Sequence, residues 1–381
     1  MIESPILATE LPLATAGEIA FINLESTRRQ SWSRFWRSPE RPGIAEYIVE
    51  QEQLTAQYLG DLSAFDRLQE LVAQIATSEV EPARRLLIQA QVASMTHRFA
   101  ESRILLQEAE AYGPLPNGAD RLLLSIDQAS GNRLDNVLRT RRQMAAKSGR
   151  LEDLVPLGAL LADLREFGQA DQIYQMALSE YRDVSPFAVA WVCFQLGVLW
   201  GELVADVQSG IAACWYEKAI EYLPCYLKAR VHLSEIYLDS ERFEEAESLL
   251  VLAIPSGDPE VSWRLADVMA AMGRAAEAET HLQAAQQGFE ALLDRHLLAF
   301  ADHGVEFYLG SGGNAPRAFE LARINVANRP TLRAFEQAYE SALAAKEPTA
   351  AYEILSEANE YWGATKAFSL SRLSEQNDLL H

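Results

Sequence analysis

Cysteine is scarce. The 381 residues hold three, Cys193, Cys214 and Cys225. An odd, low count with no CxxC pair argues against a disulfide framework, a zinc ribbon and a redox pair, and fits a reducing compartment. Basic charge is short as well. There are 54 acidic residues against 33 basic ones, a net charge of −21, and such a field repels phosphate backbones. Nucleic acid is therefore not an expected partner. Arg28, Arg29, Arg34, Arg37 and Arg41 do cluster, as do Arg139, Arg141, Arg142, Lys147 and Arg150. Neither group has the spacing of a nucleic-acid motif, and both read as solvated surface. No window approaches the roughly 20 apolar residues of a membrane span. The opening residues carry Glu3 and Glu10 and no basic residue near Met1, unlike a secretory signal. The expectation is a mature terminus and a cytoplasmic protein.

Catalytic motifs are missing too. There is no GxxxxGK[ST] loop, no HExxH and no GxSxG elbow, so the phosphate, metalloprotease and hydrolase chemistries they carry have no starting point. The glycine-rich GSGG at 310–313 lies between two helical stretches and reads as a turn. His296, His303 and Glu306 could share a helix face. A metal site, however, draws ligands from several elements with a supporting shell. The two histidines are read as one packing and one facing a groove. No catalytic residue, metal or cofactor is expected. An unrecognised enzyme would need a cleft of strongly perturbed titratable groups.

What is present is apolar residue at helical spacing, 49% of the chain in total, and it repeats. In 227–258, Leu233, Ser234 and Tyr237 share one helix face; after Asp239 and Ser240, Phe243, Ala246, Leu250 and Ala253 line a second helix. The layout recurs in 259–288, with Leu265, Ala266, Met269, a turn at Gly273, then Ala278, Leu282 and Ala285. It recurs in 151–184 with Gly158 and Tyr174, and in 83–114 with Ala90, Phe99 and Ser102. In 190–224 it appears with Gly197 and Tyr216 and about three extra turn residues around 204–210. Small residues let paired helices approach while large ones fill the gaps. Segments 43–78, 117–148, 299–330 and 331–362 are weaker copies, with turns at Gly60, Gly131 and 310–314, and Glu306 stands where a small residue is expected. The expected fold is an all-α solenoid of about eight antiparallel helix pairs over 43–362, with a partly irregular segment 1–42 before it and a helix or tail 363–381 after it.

LGVLW at 196–200 with ACWYEKAIEYLP at 213–224, and LSEIY at 233–237 with AESLLVLA at 246–253, resemble the tetratricopeptide repeat. That resemblance implies a superhelix whose concave face, lined by the first helix of each pair, takes a protein or peptide. Carried onto matching units it selects Trp191, Phe194 and Val198, then Lys228, Val231 and Glu235, then Glu260, Trp263 and Asp267, then Phe300, His303 and Phe307, with Arg264 bordering the strip. The candidate partner-binding residues are Trp191, Phe194, Lys228, Val231, Glu235, Trp263, Arg264, Asp267, Phe300 and His303. The Lys/Asn clamp that binds chaperone tails in this family is incomplete, since Phe194, Val198 and His232 hold its places. The expected function is a non-catalytic scaffold. The alternative is an accessory subunit of an enzyme, secretion or membrane-associated assembly, with membrane contact only through a partner or the N-terminal WSRFW segment.

Overall fold

A computed structural model describes residues 11–115 and 118–378; the reading of residues 1–10 as a mature terminus lies outside them. Among the described residues all regular structure is helical. A leading helix, α1 (Gly17–Phe35), precedes turn-linked pairs: α2 (Ile44–Leu59) with α3 (Ala64–Ala76), α4 (Pro82–Met95) with α5 (Phe99–Glu110), and α6 (Ala119–Ala129) with α7 (Leu134–Ser148). Next come α8 (Leu151–Asp163) with α9 (Phe167–Glu180), α10 (Pro186–Val198) with α11 (Ser209–Tyr222), and α12 (Leu227–Asp239) with α13 (Phe243–Val251). α14 (Pro259–Ala271) pairs with the first half of α15 (Ala275–Leu309), whose second half pairs with α16 (Ala315–Asn328). α17 (Leu332–Ala344) pairs with α18 (Pro348–Trp362), and the short α19 (Lys366–Ser369) and α20 (Arg372–Asp378) follow. Each helix packs chiefly on its neighbours in sequence. The array is an α-solenoid of stacked helix pairs.

The repeat is written most regularly in its turns. After α4, α6, α8, α12, α14 and α17 the chain closes identically. The N–H of Arg98, Asn132, Glu166, Arg242, Arg274 and Glu347 donates to the carbonyl five residues back, at 2.7–2.9 Å. The residue before each donor is left-handed: His97, Gly131, Arg165, Glu241, Gly273 and Lys346, with φ from 56° to 75°. This six-to-one closure satisfies a carbonyl the helix end would orphan. Only two of the six positions are glycine, which is why the sequence shows so few of these turns.

Inside the pairs, small residues meet tyrosines. A Cβ on Gly197 would lie 2.4 Å from Tyr216 Cε1, and one on Gly158 would lie 2.6 Å from Tyr174 Cε1. Both tyrosines are buried, and burying a side chain of this size contributes about 1.5–3 kcal/mol. Ala212 and Ala246 are buried as expected, whereas Ala278, on the outer first half of α15, is half-buried.

Units 259–288 and 299–330 join without a loop: α15 runs 35 residues with a kink at His296 (φ −138°, ψ 46°). Nothing between Gln287 and Phe300 stops a helix, since the stretch lacks proline and its one glycine, Gly288, seats under Pro259. Three expectations need correction. The small residue of the next unit is Gly304, not position 306; its Cβ would meet Leu321 at 2.8 Å. Pro186–Leu203 is apolar and long enough, by length and composition, to cross a membrane. Here it is α10 continued by a π-helical turn, Leu199–Leu203, wedged in the core. Finally, the inner face is not open along its length.

That face is partly covered because the array folds back on itself. Tyr58, at the end of α2, donates its hydroxyl to the Phe187 carbonyl (2.8 Å) and packs on Tyr226 (ring centroids 4.8 Å apart). Asp66 on α3 bonds His296 Nε2 (2.8 Å) and pairs with Arg295, at the kink of α15. Phe65 meets Phe300 edge-on. In the α4–α5 turn, His97 bonds the Leu298 carbonyl (3.2 Å), and in the α8–α9 turn Arg165 pairs with Glu336 on α17. The first layer is itself locked by Glu52, which is fully buried. It accepts from Trp32 Nε1 (2.6 Å) and from Arg67 (2.6 and 2.9 Å), with Arg28 at 3.4 Å. Within WSRFW, Phe35 is buried and Trp32 is held by Glu52, leaving Trp36 exposed. At the other end Ala367, Phe368 and Leu373 are buried against the C-terminal core.

Candidate partner-binding surface

The first helices of successive pairs present an inner wall, and the ten candidates divide on it by chemistry. Val231 (1% exposed), Trp263 (4%), Phe194 and Phe300 are buried, so they are packing residues and not the exposed contacts expected. Phe194 lies among Trp191, Tyr216 and Tyr226. Phe300 is covered by Phe65 of the returning α3. Trp263 packs on Phe289 and Phe307, and its Nε1 donates to Ser311 Oγ (3.1 Å) in the 310–314 turn. The glycines of that turn serve packing: a Cβ on Gly312 would meet Phe307 at 2.7 Å. Trp191 is half-buried at the edge of a cleft.

The polar candidates Lys228, Glu235, Arg264, Asp267 and His303 do come together. Arg264 stacks over Trp263 (3.7 Å), pairs with Glu235 (2.6 Å) and reaches Asp267 (3.6 Å). Lys228 bonds Glu260 (2.5 Å) and approaches Asp258 (3.5 Å), and His303 Nδ1 lies 2.6 Å from the other Glu260 oxygen. Thus Glu260 joins α12, α14 and α15. A neighbouring cluster repeats the scheme: His232 Nδ1 lies 2.7 Å from Glu202, which also accepts from the Tyr216 hydroxyl (3.0 Å). Beyond it, Glu306 accepts from Arg333 and Gln337, both at 3.0 Å.

These charges keep some water contact; the His232 and His303 side chains are 23% and 35% exposed. They are nevertheless ringed by protein, and their titration shows it. For His232, burial pulls the ring down, but Glu202 and Glu235 outweigh it and raise it to about 9. For His303, burial is likewise overcome by Asp302 and Glu260, again reaching about 9. Both rings are therefore cationic near neutrality. Asp163, at the end of α8, is pushed up to about 6 by confinement, which its hydrogen bond to Gln128 and the charges of Arg333 and Arg329 only partly offset. His97 is lowered to about 4, first by burial and then by Arg329. Perturbed groups of the kind an active site uses do gather here. The bonded ring nitrogens of His232 and His303, however, are closed against carboxylates. His296 and His303 bond acids on different elements, Asp66 and Glu260, so the spacing that could have suited one metal does not converge.

Glu202, Asp163 and Arg333 belong to this wall but were not among the candidates. Glu202 sits in the π-helical turn that continues α10, just before the extra turn residues of its unit. Asp163 and Arg333 sense each other only because the array folds back.

No family model matches the chain, and no curated protein matches it. Among solved structures, it is similar to the human IFIT1 dimer with PPP-AAAA, at 11% identity and a TM-score of 0.43, covering 97% of this chain and 87% of that one. It is also similar to the APC/C hetero-tetramer Cut9–Hcn1, at 13% identity and 0.40, over 92% of this chain but only 66% of that one. A third is the C-terminal part of a TPR repeat-containing protein from Cytophaga hutchinsonii, at 13% identity and 0.33, covering 77% and 97%.

Proposed function

We propose that the chain is a non-catalytic, cytoplasmic scaffold that holds a segment of a partner protein along its inner wall. One observation supports the reading. Lys228, Glu235, Arg264, Asp267 and His303 keep contact with water across consecutive first helices, while their aromatic neighbours form a rigid floor beneath them. Alternating paired charges on a rigid floor select register and partner more than they add affinity. The net charge of −21 favours a basic segment.

The test is affinity purification of the full chain from its source cell, with a photo-crosslinking residue at position 198, half-buried on the neighbouring first helix and outside the charged set. A defined partner is expected, captured at least tenfold less by Arg264→Glu than by wild type. Equal capture by both would end the reading. Partner identity also tells whether the scaffold serves an enzyme, secretion or membrane assembly. The titration of His232 and His303 favours one other reading, acid–base chemistry at the wall. It would require a turnover that His303→Ala abolishes.

A further inference from the structure

The fold-back leaves a seam. α2 lies against the start of α10, a first helix from an earlier unit set beside one from a later unit. It meets that neighbour through Tyr58 at its end, against Phe187 and Trp191. Two contiguous cavities remain along the seam, about 390 and 320 Å³, which share Leu54, Ser185 and Phe187. Each falls in the roughly 300–1,000 Å³ range of ligand clefts. The floor is aromatic: Tyr58, Phe187 and Trp191. The α2 side is amide-rich, with Gln51, Gln53 and Gln57. Gln51 is only 2% exposed, and neither its Oε1 nor its Nε2 has a partner. A buried amide left unpaired costs about 1–3 kcal/mol, so a leucine of similar size would stabilise this position. A residue that weakens its own fold in the wall of a cleft is a mark of function.

We propose that this seam binds a short extended polypeptide segment carrying an apolar side chain and a neighbouring Lys or Arg. A glutamine side chain is complementary to a peptide bond, donating to its carbonyl and accepting from its N–H. The aromatic floor takes the apolar side chain. Glu50 and Asp183, at one end of the cleft, take the cation. The seam already accepts one extended segment at its edge, where the Thr15 N–H donates to the Val184 carbonyl (2.8 Å). Of the inner-wall candidates this site includes Trp191 alone and none of the charged residues, so its occupancy does not depend on the partner proposed there.

The test uses the full chain and two capped pentapeptides, Ala-Phe-Ala-Lys-Ala and Ala-Lys-Ala-Phe-Ala, with glutamate replacing lysine as controls. Binding is followed by calorimetry and stability by thermal unfolding. Saturable binding of at least one lysine peptide is expected, weakened about tenfold by the glutamate exchange and at least tenfold in Gln51→Leu. Gln57→Ala is the second variant, with a smaller loss. Gln51→Leu should unfold at the same or a higher temperature than wild type. Arg264→Glu, on the inner wall, should leave peptide binding unchanged. The proposal is overturned if neither lysine peptide binds saturably, if the glutamate peptides bind as well, or if Gln51→Leu unfolds at a lower temperature, which would make Gln51 a structural residue.

Discussion

The hairpin interiors and the inner wall of this solenoid are built on opposite principles. Within a pair such as α10–α11, contact is apolar, local and repeated: a small residue under a tyrosine, closed by a left-handed turn. On the wall, contact is ionic and non-local. Tyr58 bonds a carbonyl 129 residues away, Arg165 an acid 171 away, and Asp66 a histidine 230 away. Stability in the first region comes from burial and shape, and in the second from partners being present. Removing one member of a buried ionic set therefore costs more than its net contribution, because the others are stranded in low dielectric.

That contrast can be tested in descending order of effect. Glu52→Ala should be the most damaging change, by about 3 kcal/mol, because it removes the buried acceptor shared by Arg28, Arg67 and the Trp32 N–H, leaving Arg28 with the Glu25 carboxylate and Arg67 with that of Asp61. Denaturant unfolding would measure it, and a loss under about 1 kcal/mol would show that water already reaches the cluster. Gly197→Ala comes next. In most helix interiors this exchange stabilises; here the added methyl would meet the Tyr216 ring, for a loss of about 1–3 kcal/mol. A gain would mean that the pair can open without cost. Asp66→Ala removes the bond to the α15 kink and should cost about 1–2 kcal/mol. It should also speed amide hydrogen exchange in α2 and α3 while leaving α12–α13 unchanged; a uniform increase would deny that the first layer is a separate unit.

The pH dependence is a further test of the wall. His232 and His303 titrate in the fold at about 9, above their unfolded value. Their contribution is thus complete below about pH 6.5 and is lost as pH rises through about 9. His97 acts with the opposite sign. Held neutral down to about 4, it costs stability as pH falls from about 6.5, where the unfolded chain takes up a proton that the fold refuses. Melting temperature against pH should peak near neutrality, with the alkaline shoulder vanishing in His232→Gln/His303→Gln. The smallest effect belongs to Glu235→Gln: under about 1 kcal/mol on unfolding, as befits a partly exposed pair, but a clear loss of partner capture.

The pattern of legibility follows the same division. Gly158, Gly197, Ala212 and Ala246 lie where periodicity put them, since their neighbours sit within one hairpin. The repeat spacing puts the small residue of the 299–330 unit at position 306, but the close approach is made by Gly304, two residues earlier, and only the neighbouring Leu321 reveals that. Val231, Trp263 and Phe300 were expected to face a guest. Phe300 is covered by Phe65 as α3 returns across it, whereas Trp263 is buried by Phe289 and Phe307 of α15 and Val231 by the central core.

The sequence by itself determined an all-α chain of paired helices with small-to-aromatic seams, because each pair is held by residues fewer than about 35 apart in a recurring order. Only the tertiary structure decided that the array closes, that Glu52 and Glu260 each gather several cations or donors, and that a glutamine-lined seam remains beside Trp191. The carboxylate clusters find their partners 15 to 43 residues away on neighbouring helices, while closure and the seam depend on which turn of one unit meets which helix of another more than a hundred residues distant, matches of shape and charge that no local period records.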